Sequence, residues 1–426
     1  MRKVMSMLLT SAVGLSLISG CAGGTASKNE GTANGTGTST EGKVTIKLMD
    51  FKTEITDKIK AMAADYMAEN PNVNIEAQVT GNYDTLLKTR FSAGDGPDIF
   101  MTRAYTDIQG WSDRLVDLSN EPWMDKVLPS SEAGMTADGK KLGFPLAVEG
   151  YGFIYNKDIF AKEGIDKLPT TLTELKAVNE KLKAAGISSY TEGYKSFWVL
   201  GQHLFNLPFA FEKDPAATIE KMYAGEVKMA DIKNLDGFFD VLDMTVDYGK
   251  GTDTIGLSYD NQVSDFASGK TAMMQQGVWS IDAITKINPN MNIGMFAIPL
   301  NDNPEDTKMP VGVSTYYSIN KDSKVIEESK KFLTWLHENG QKYIVDSYKM
   351  IPAFTDLNTT PELGPLAEDL DKYLKDENTY IWAFQLWPSG IAEDFTVPLQ
   401  AYVGGHFDKE QTITELQKIW DQKVKK

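Results

Sequence analysis

The sequence predicts an α/β fold divided into two domains, and three observations carry that prediction. From residue 44 onward, apolar residues recur in alternation, then at helical spacing, then in alternation again, an order that builds a parallel sheet with helices on its faces. At 426 residues the chain is longer than one ordinary core supports, so two domains are the default. Hydrophobic residues at 42% and charged residues at 24% match the composition of globular domains, which have enough apolar surface to bury.

The amino terminus stands apart from this pattern. Arg2 and Lys3 precede an apolar run over residues 7–18, the charged start and short apolar centre of a secretory signal over residues 1–20. The run is too short to stay in a bilayer as a spanning helix. It ends Leu17-Ile18-Ser19-Gly20-Cys21, which resembles a bacterial lipobox, where the signal is removed before a cysteine that is then acylated. Residues 22–42 are mainly Gly, Thr, Ser, Ala and Asn without periodicity, too poor in apolar surface to order themselves. Residues 21–42 therefore read as a lipidated Cys21 and a flexible tether reaching on the order of 25 Å. The expected location is the extracellular face of the cytoplasmic membrane of a Gram-positive bacterium, with a lipid as the sole membrane contact.

Cys21 is the single cysteine, so no disulfide forms within the chain. His203, His337 and His406 lie far apart without metal-ligand spacing, and no metal or other cofactor is expected. A formal net charge of -16 argues against nucleic acid or an anionic membrane as partner, since either calls for a basic face.

The body starts with an alternating strand over residues 44–49, a helix carrying Ile55, Ile59, Met62, Ala63 and Tyr66, and a stop at Asn70-Pro71. Residues 73–77 form the next strand, residues 84–93 a helix ended by Gly94, and Gly96-Pro97-Asp98 turns into a third strand. Parallel sheets bind ligands at the carboxyl ends of their strands. Phe51, Lys52 and Thr53, then Asn82 and Tyr83, then Thr102, Arg103 and Tyr105 fall there.

Residues 144–162 look like the crossing point between the domains. Phe144, Leu146 and Val148 alternate as a strand; Glu149-Gly150-Tyr151-Gly152 reads as a turn or a close backbone approach; Phe153 to Tyr155 make a second strand; Asn156 caps a helix. Downstream, residues 173–185 are helical with Gly186 as the stop, and a helix opens near Ser196 with Trp198 facing either core or cleft. A strand over residues 272–274 leads into a polar turn presenting Trp279. Residues 292–299 read as a strand returning the chain to the first domain, followed by another over residues 313–319 with Tyr316 or Tyr317 facing out. Helices follow over residues 329–339 and 413–423, and residues 380–388 crowd Tyr380, Trp382, Phe384 and Trp387 together.

Pro145 to Lys162 contains Gly152, Tyr155-Asn156, Phe160 and Lys162 at the spacing of a known signature. On it, together with Glu69-Asn70-Pro71, Gly96-Pro97-Asp98-Ile99 and the run from Gly269-Lys270-Thr271 to Gly277 and Trp279, the chain resembles the family 1 extracellular solute-binding proteins of bacterial ABC sugar importers, the group that includes maltose-binding protein. The resemblance spans about residues 44–423 and implies a two-lobe, type II periplasmic-binding-protein-like fold with a central cleft and hinge crossings. It implies one lobe of residues 43–148 plus 300–340 and another of 149–299 plus 341–426. It also implies that Glu149 and Trp279 lie in the cleft and that an ABC permease is the partner of a monomeric protein. Thr102-Arg103 stands where maltose-binding protein has an aromatic residue, so maltose itself is not the expected ligand.

A sugar has apolar C–H faces and a rim of hydroxyls, which suit aromatic rings and paired polar groups respectively. Tyr151, Trp198, Trp279, Tyr316, Trp382, Phe384 and Trp387 are the candidate platforms; Lys52, Asn82, Arg103, Glu149 and Asp394 are the candidate rim. A neutral oligosaccharide is the expected ligand. A surface glycoside hydrolase with two carboxylates and a peptide-binding or adhesion lipoprotein are the alternatives. No Gly-x-Ser-x-Gly or His-Glu-x-x-His motif supports an enzyme.

Overall fold

Alternation at Ile46 and Leu48 produces β1 (Val44–Asp50), which pairs in parallel with β2 (Val73–Val79) and β3 (Ile99–Thr102). The connections are α1 (Thr56–Glu69) and α2 (Tyr83–Ser92), so the expected β-α-β-α-β unit is present. The computed structural model describes residues 43–425; the signal, the tether and Cys21 lie outside the described residues. After β3 comes the short helix α3 (Thr106–Trp111).

The crossing stretch departs from its expected form. β4 (Phe144–Pro145) belongs to the first sheet, and β5 (Ala147–Asn156) runs unbroken, with all ten residues buried. Glu149 to Gly152 make no turn. The glycines serve close packing instead: a Cβ on Gly152 would lie 2.1 Å from the carbonyl oxygen of Phe296. Asn156 ends the strand and caps the next helix, its Oδ1 accepting from the amides of Asp158 and Ile159.

Besides a two-residue hairpin pair, Thr136–Ala137 with Lys140–Lys141, the other strands are β6 (Ser188–Tyr190), β7 (Thr271–Gly277), β8 (Ile293–Phe296), β9 (Met309–Val313), β10 (Tyr316–Ile319), β11 (Ile351–Pro352) and β12 (Thr379–Ile381). β5 is the spine of the second sheet. Its first half pairs with β9 and β11, and its second half with β7 and β8, all antiparallel. The first sheet has the order β2-β1-β3-β10-β4. The chain thus crosses between sheets at Leu146 and again at Ser314-Thr315.

The sheet memberships differ from the limits read in the sequence. β8 stays in the second sheet rather than returning the chain to the first. The expected single strand over residues 313–319 is two, because Ser314-Thr315 separate β9 from β10. Past residue 340 the chain still packs on the first sheet: Tyr343 lies 5.1 Å from Trp335, Phe354 lies 5.0 Å from Phe144, and the amide of Thr355 donates to the carbonyl of Lys126. A third crossing is made around β11, which already pairs with β5, and beyond it Asp369 and Tyr373 accept from the amides of Met295 and Ala297 at the second sheet. One apolar core gathers Ile46, Phe100, Trp123 and Phe332, while another gathers Tyr190, Phe205, Phe238 and Trp420.

Candidate functional site

The carboxyl ends of β1, β2 and β3 open on one side of the first sheet, as parallel connections require. The residues that follow them, Phe51 to Glu54, Gly81, Tyr83 and Arg103, form one wall of a cavity of about 320 Å³. The facing wall comes from the second lobe: Trp198, Gln202 and His203 on the π-helix Trp198–Leu204, Trp279 just past β7, and Trp382, Phe384 and Gln385 past β12. Glu149 on β5 and Ser314 at the second crossing also line it, so two of the three hinge crossings contribute.

Charge at the floor is tightly paired. Lys52 Nζ donates to Glu149 Oε1 at 2.7 Å and lies 3.9 Å from Glu54 Oε1. Burial alone would lower the ammonium's pKa, but the charges of Glu149 and Glu54 raise it above the ordinary lysine value. Asp50 beneath accepts from the Lys52 amide at 2.6 Å and from the Tyr317 hydroxyl at 2.6 Å. Glu54, with its side chain 20% exposed, is pushed up to about 7 by burial despite the nearby Lys52. At the mouth Arg103 clasps Asp84 with its Nη1 and Nη2 (2.8 and 3.1 Å) and lies 4.8 Å over the Phe51 ring. Both cations of the wall are therefore already engaged by carboxylates.

The facing wall is aromatic. Trp382 and Phe384 stack at 5.3 Å, Trp279 meets Trp382 edge to face at 6.4 Å, and Trp198 meets Trp279 at 6.2 Å. His203 lies 5.0 Å from Trp279; burial, with the Lys52 charge, drives its pKa down to about 3, so it is a neutral ring at physiological pH. The Trp279 ring is fixed by a buried amide chain. Its Nε1 donates to Gln276 Oε1 (3.0 Å), Gln276 Nε2 donates to Gln262 Oε1 (2.8 Å), and Gln262 Nε2 donates to Glu192 Oε2 (2.8 Å). Gly277 leaves room for the indole, since a Cβ there would stand 2.3 Å from it.

Of the residues singled out in the sequence, Lys52, Arg103, Glu149, Trp198, Trp279, Trp382 and Phe384 come together on this cavity. Five others do not. Tyr151 is buried behind the wall, stacked 4.6 Å under His203, with its hydroxyl donating to the His203 carbonyl and accepting from Asn206. Tyr316 is buried in the first lobe because β10 is an interior strand, and its hydroxyl donates to the Ser131 carbonyl. Trp387 packs in the second core against Phe209 and Phe395. Asp394 pairs with Lys423 away from the cavity, and Asn82 is exposed beside it. Gln202, His203, Phe197, Tyr259 and Gln385 line the cavity without a local signature that marks them. Among the described residues, no cluster of His, Cys, Asp and Glu is arranged to hold a metal, and no helix is long and apolar enough to cross a membrane.

The family model of the bacterial extracellular solute-binding proteins matches residues 52–343. The chain belongs to this family. Its members are substrate-binding components of ABC transporters, so this solute-binding protein is a binder and not an enzyme. It is 26% identical over 375 residues to the multiple sugar-binding protein of Streptococcus mutans, covering 86% of this chain and 87% of the relative. It is 23% identical over 288 residues to the melibiose/raffinose/stachyose-binding protein of Bacillus subtilis, covering 66% of each. Among solved structures, a chitin oligosaccharide binding protein superposes with a TM-score of 0.79 at 22% identity, over 90% of this chain and 100% of the other. A raffinose complex of the solute-binding protein RafE gives 0.75 at 24% identity with the same coverage. These likenesses establish the two-lobe type II fold.

Proposed function

We propose that this solute-binding protein captures a neutral oligosaccharide between its lobes and delivers it to an ABC permease. The observation that carries the reading is the cavity's division of labour: three indoles and a phenyl ring on one wall, and on the other two cations already paired with carboxylates. Ring faces attract the C–H faces of a pyranose, and the paired polar groups have remaining donors and acceptors for hydroxyls. An anionic ligand would find no unpaired cation among these residues. The sugars named for the relatives point the same way.

The ligand contacts in this reading are Lys52, Arg103, Glu149, Trp198, Trp279, Trp382 and Phe384, with Gln202, Gln385 and His203 added. Lobe limits follow the three crossings, near residues 146, 314 and 356. Acylation at Cys21 and anchoring outside the membrane of a Gram-positive cell belong to the same proposal and rest on the lipobox-like sequence and the tether; a monomeric state belongs to it too and rests on the family resemblance alone. Titration with xylo-, manno-, malto- and raffinose-type oligosaccharides, followed by intrinsic tryptophan fluorescence, tests it. One-to-one saturation by at least one series is expected; silence toward all of them, with a response to peptides instead, would overturn it.

A further inference from the structure

The central cavity does not end at Arg103 and Asp84. A second hollow of about 150 Å³ shares Asp84, Arg103, Phe197, Gln202, Phe384 and Gln385 with it. A third, of about 350 Å³, shares Lys88, Thr106, Asp107, Trp111 and Ser389 with the second. The three lie end to end along the seam between the lobes. Thr106 Oγ1, at the junction of the second and third hollows, donates to the carbonyls of Trp387 (2.8 Å) and Gln385 (3.2 Å) and so ties the two walls together.

The outer hollow repeats the chemistry of the inner one. Trp111 is half-buried, held from behind by Phe91 and Phe100 at 4.9 and 5.4 Å. Polar groups flank it: Arg114, whose guanidinium lies 5.6 Å over Phe91, together with Lys88, Asp107 and Ser389. An aromatic platform flanked by donors and acceptors, at the end of a row of adjoining hollows, has the same makeup as the central wall.

We propose that the ligand is a linear oligosaccharide longer than the central cavity, and that its outer rings pass the Arg103–Asp84 clasp and come to rest on Trp111. The inference rests on the sugar-binding reading above and adds the ligand's length and a distal subsite.

Calorimetric titration with chain-length series of the xylo-, manno-, malto- and raffinose-type oligosaccharides, each from two rings upward, tests it on the full chain. The expected result is an affinity that climbs with ring number in the series that binds. Trp111→Ala should remove about five- to tenfold for the longest chain and leave the shortest binder unchanged. Because Trp111 also packs on Phe91 and Phe100, Ser389→Trp provides an independent block from the opposite wall and should produce the same selective loss. Affinity that levels off at the shortest binder, or a loss equal for short and long chains in both variants, overturns the distal subsite while leaving central sugar binding intact. No binding of any chain of the four series by the wild type overturns the sugar reading itself.

Discussion

Lys52 Nζ sits 2.7 Å from Glu149 Oε1, and both side chains are at most 5% exposed. The pair joins the carboxyl end of β1 in the first lobe to the hinge strand β5. Breaking a buried pair strands one charge and costs about 3–5 kcal/mol, whereas replacing both partners by apolar groups of similar size is often close to neutral. Glu149→Leu should therefore lower the melting temperature, and the Lys52→Met/Glu149→Leu double variant should recover most of that loss. Sugar affinity should stay low in both. Differential scanning calorimetry with ligand titration separates the two effects; recovered binding in the double variant would remove the pair from the site.

Trp279 tests the aromatic wall. Trp279→Ala should cost more than about 2 kcal/mol of ligand affinity, as buried aromatic anchors do, with little change in melting temperature. Gly277→Ala should also weaken binding, because its methyl group would displace the indole from where Gln276 holds it. Titration curves superimposable on wild type for either variant would contradict this placement.

Two groups give the stability opposite pH dependences. His203 titrates near 3 in the folded protein against an ordinary 6.5, so the unfolded chain binds more protons between those values and stability falls as pH drops below about 6.5. Glu54 titrates near 7 against an ordinary 4.5. There the folded protein binds more protons, so its contribution is full below about 4.5 and is lost as pH rises through 7. Thermal melts from pH 4 to 8 should show that Glu54→Gln gains stability relative to wild type over the upper window and that His203→Asn gains over the lower one. Parallel profiles for wild type and variants would contradict the assignments.

The lobes are bridged at the rim as well as at the hinge. Lys58 on α1 pairs with Asp282 on the helix Ile281–Ile287, and Thr106 on α3 donates to the carbonyls of Gln385 and Trp387. Contacts made across the mouth favour the closed arrangement. Lys58→Ala combined with Thr106→Val should speed ligand release several-fold with a smaller change in association, since most affinity differences of this kind lie in the dissociation rate. Stopped-flow fluorescence measures both; an unchanged release rate would show that these contacts do not hold the lobes together.

The first sheet was legible because its signals are local. Alternation, helical spacing and the stops at Asn70-Pro71 and Gly94 lie within the segments they define. The same holds for Lys52 and Arg103, which follow strands whose direction was readable. Gly150 and Gly152 were not readable as parts of one strand, because the reason for Gly152 is the carbonyl of Phe296, far away in sequence. Tyr151 shares the strand with Glu149, yet His203 from another segment lies over it. Tyr316 and Tyr317 alternate on β10, and with strands on both sides and both faces covered neither reaches the cleft. Asp394 is claimed by Lys423. In each case the deciding partner is distant in the chain, which periodicity does not report.

The most direct test is a crystal structure with the tightest-binding sugar of the oligosaccharide screen. Pyranose faces should lie against the indoles of Trp279 and Trp382, with ring hydroxyls bonded to Lys52, Glu149 or Arg103. A sugar bound elsewhere, with those indoles packed only against one another, would contradict it.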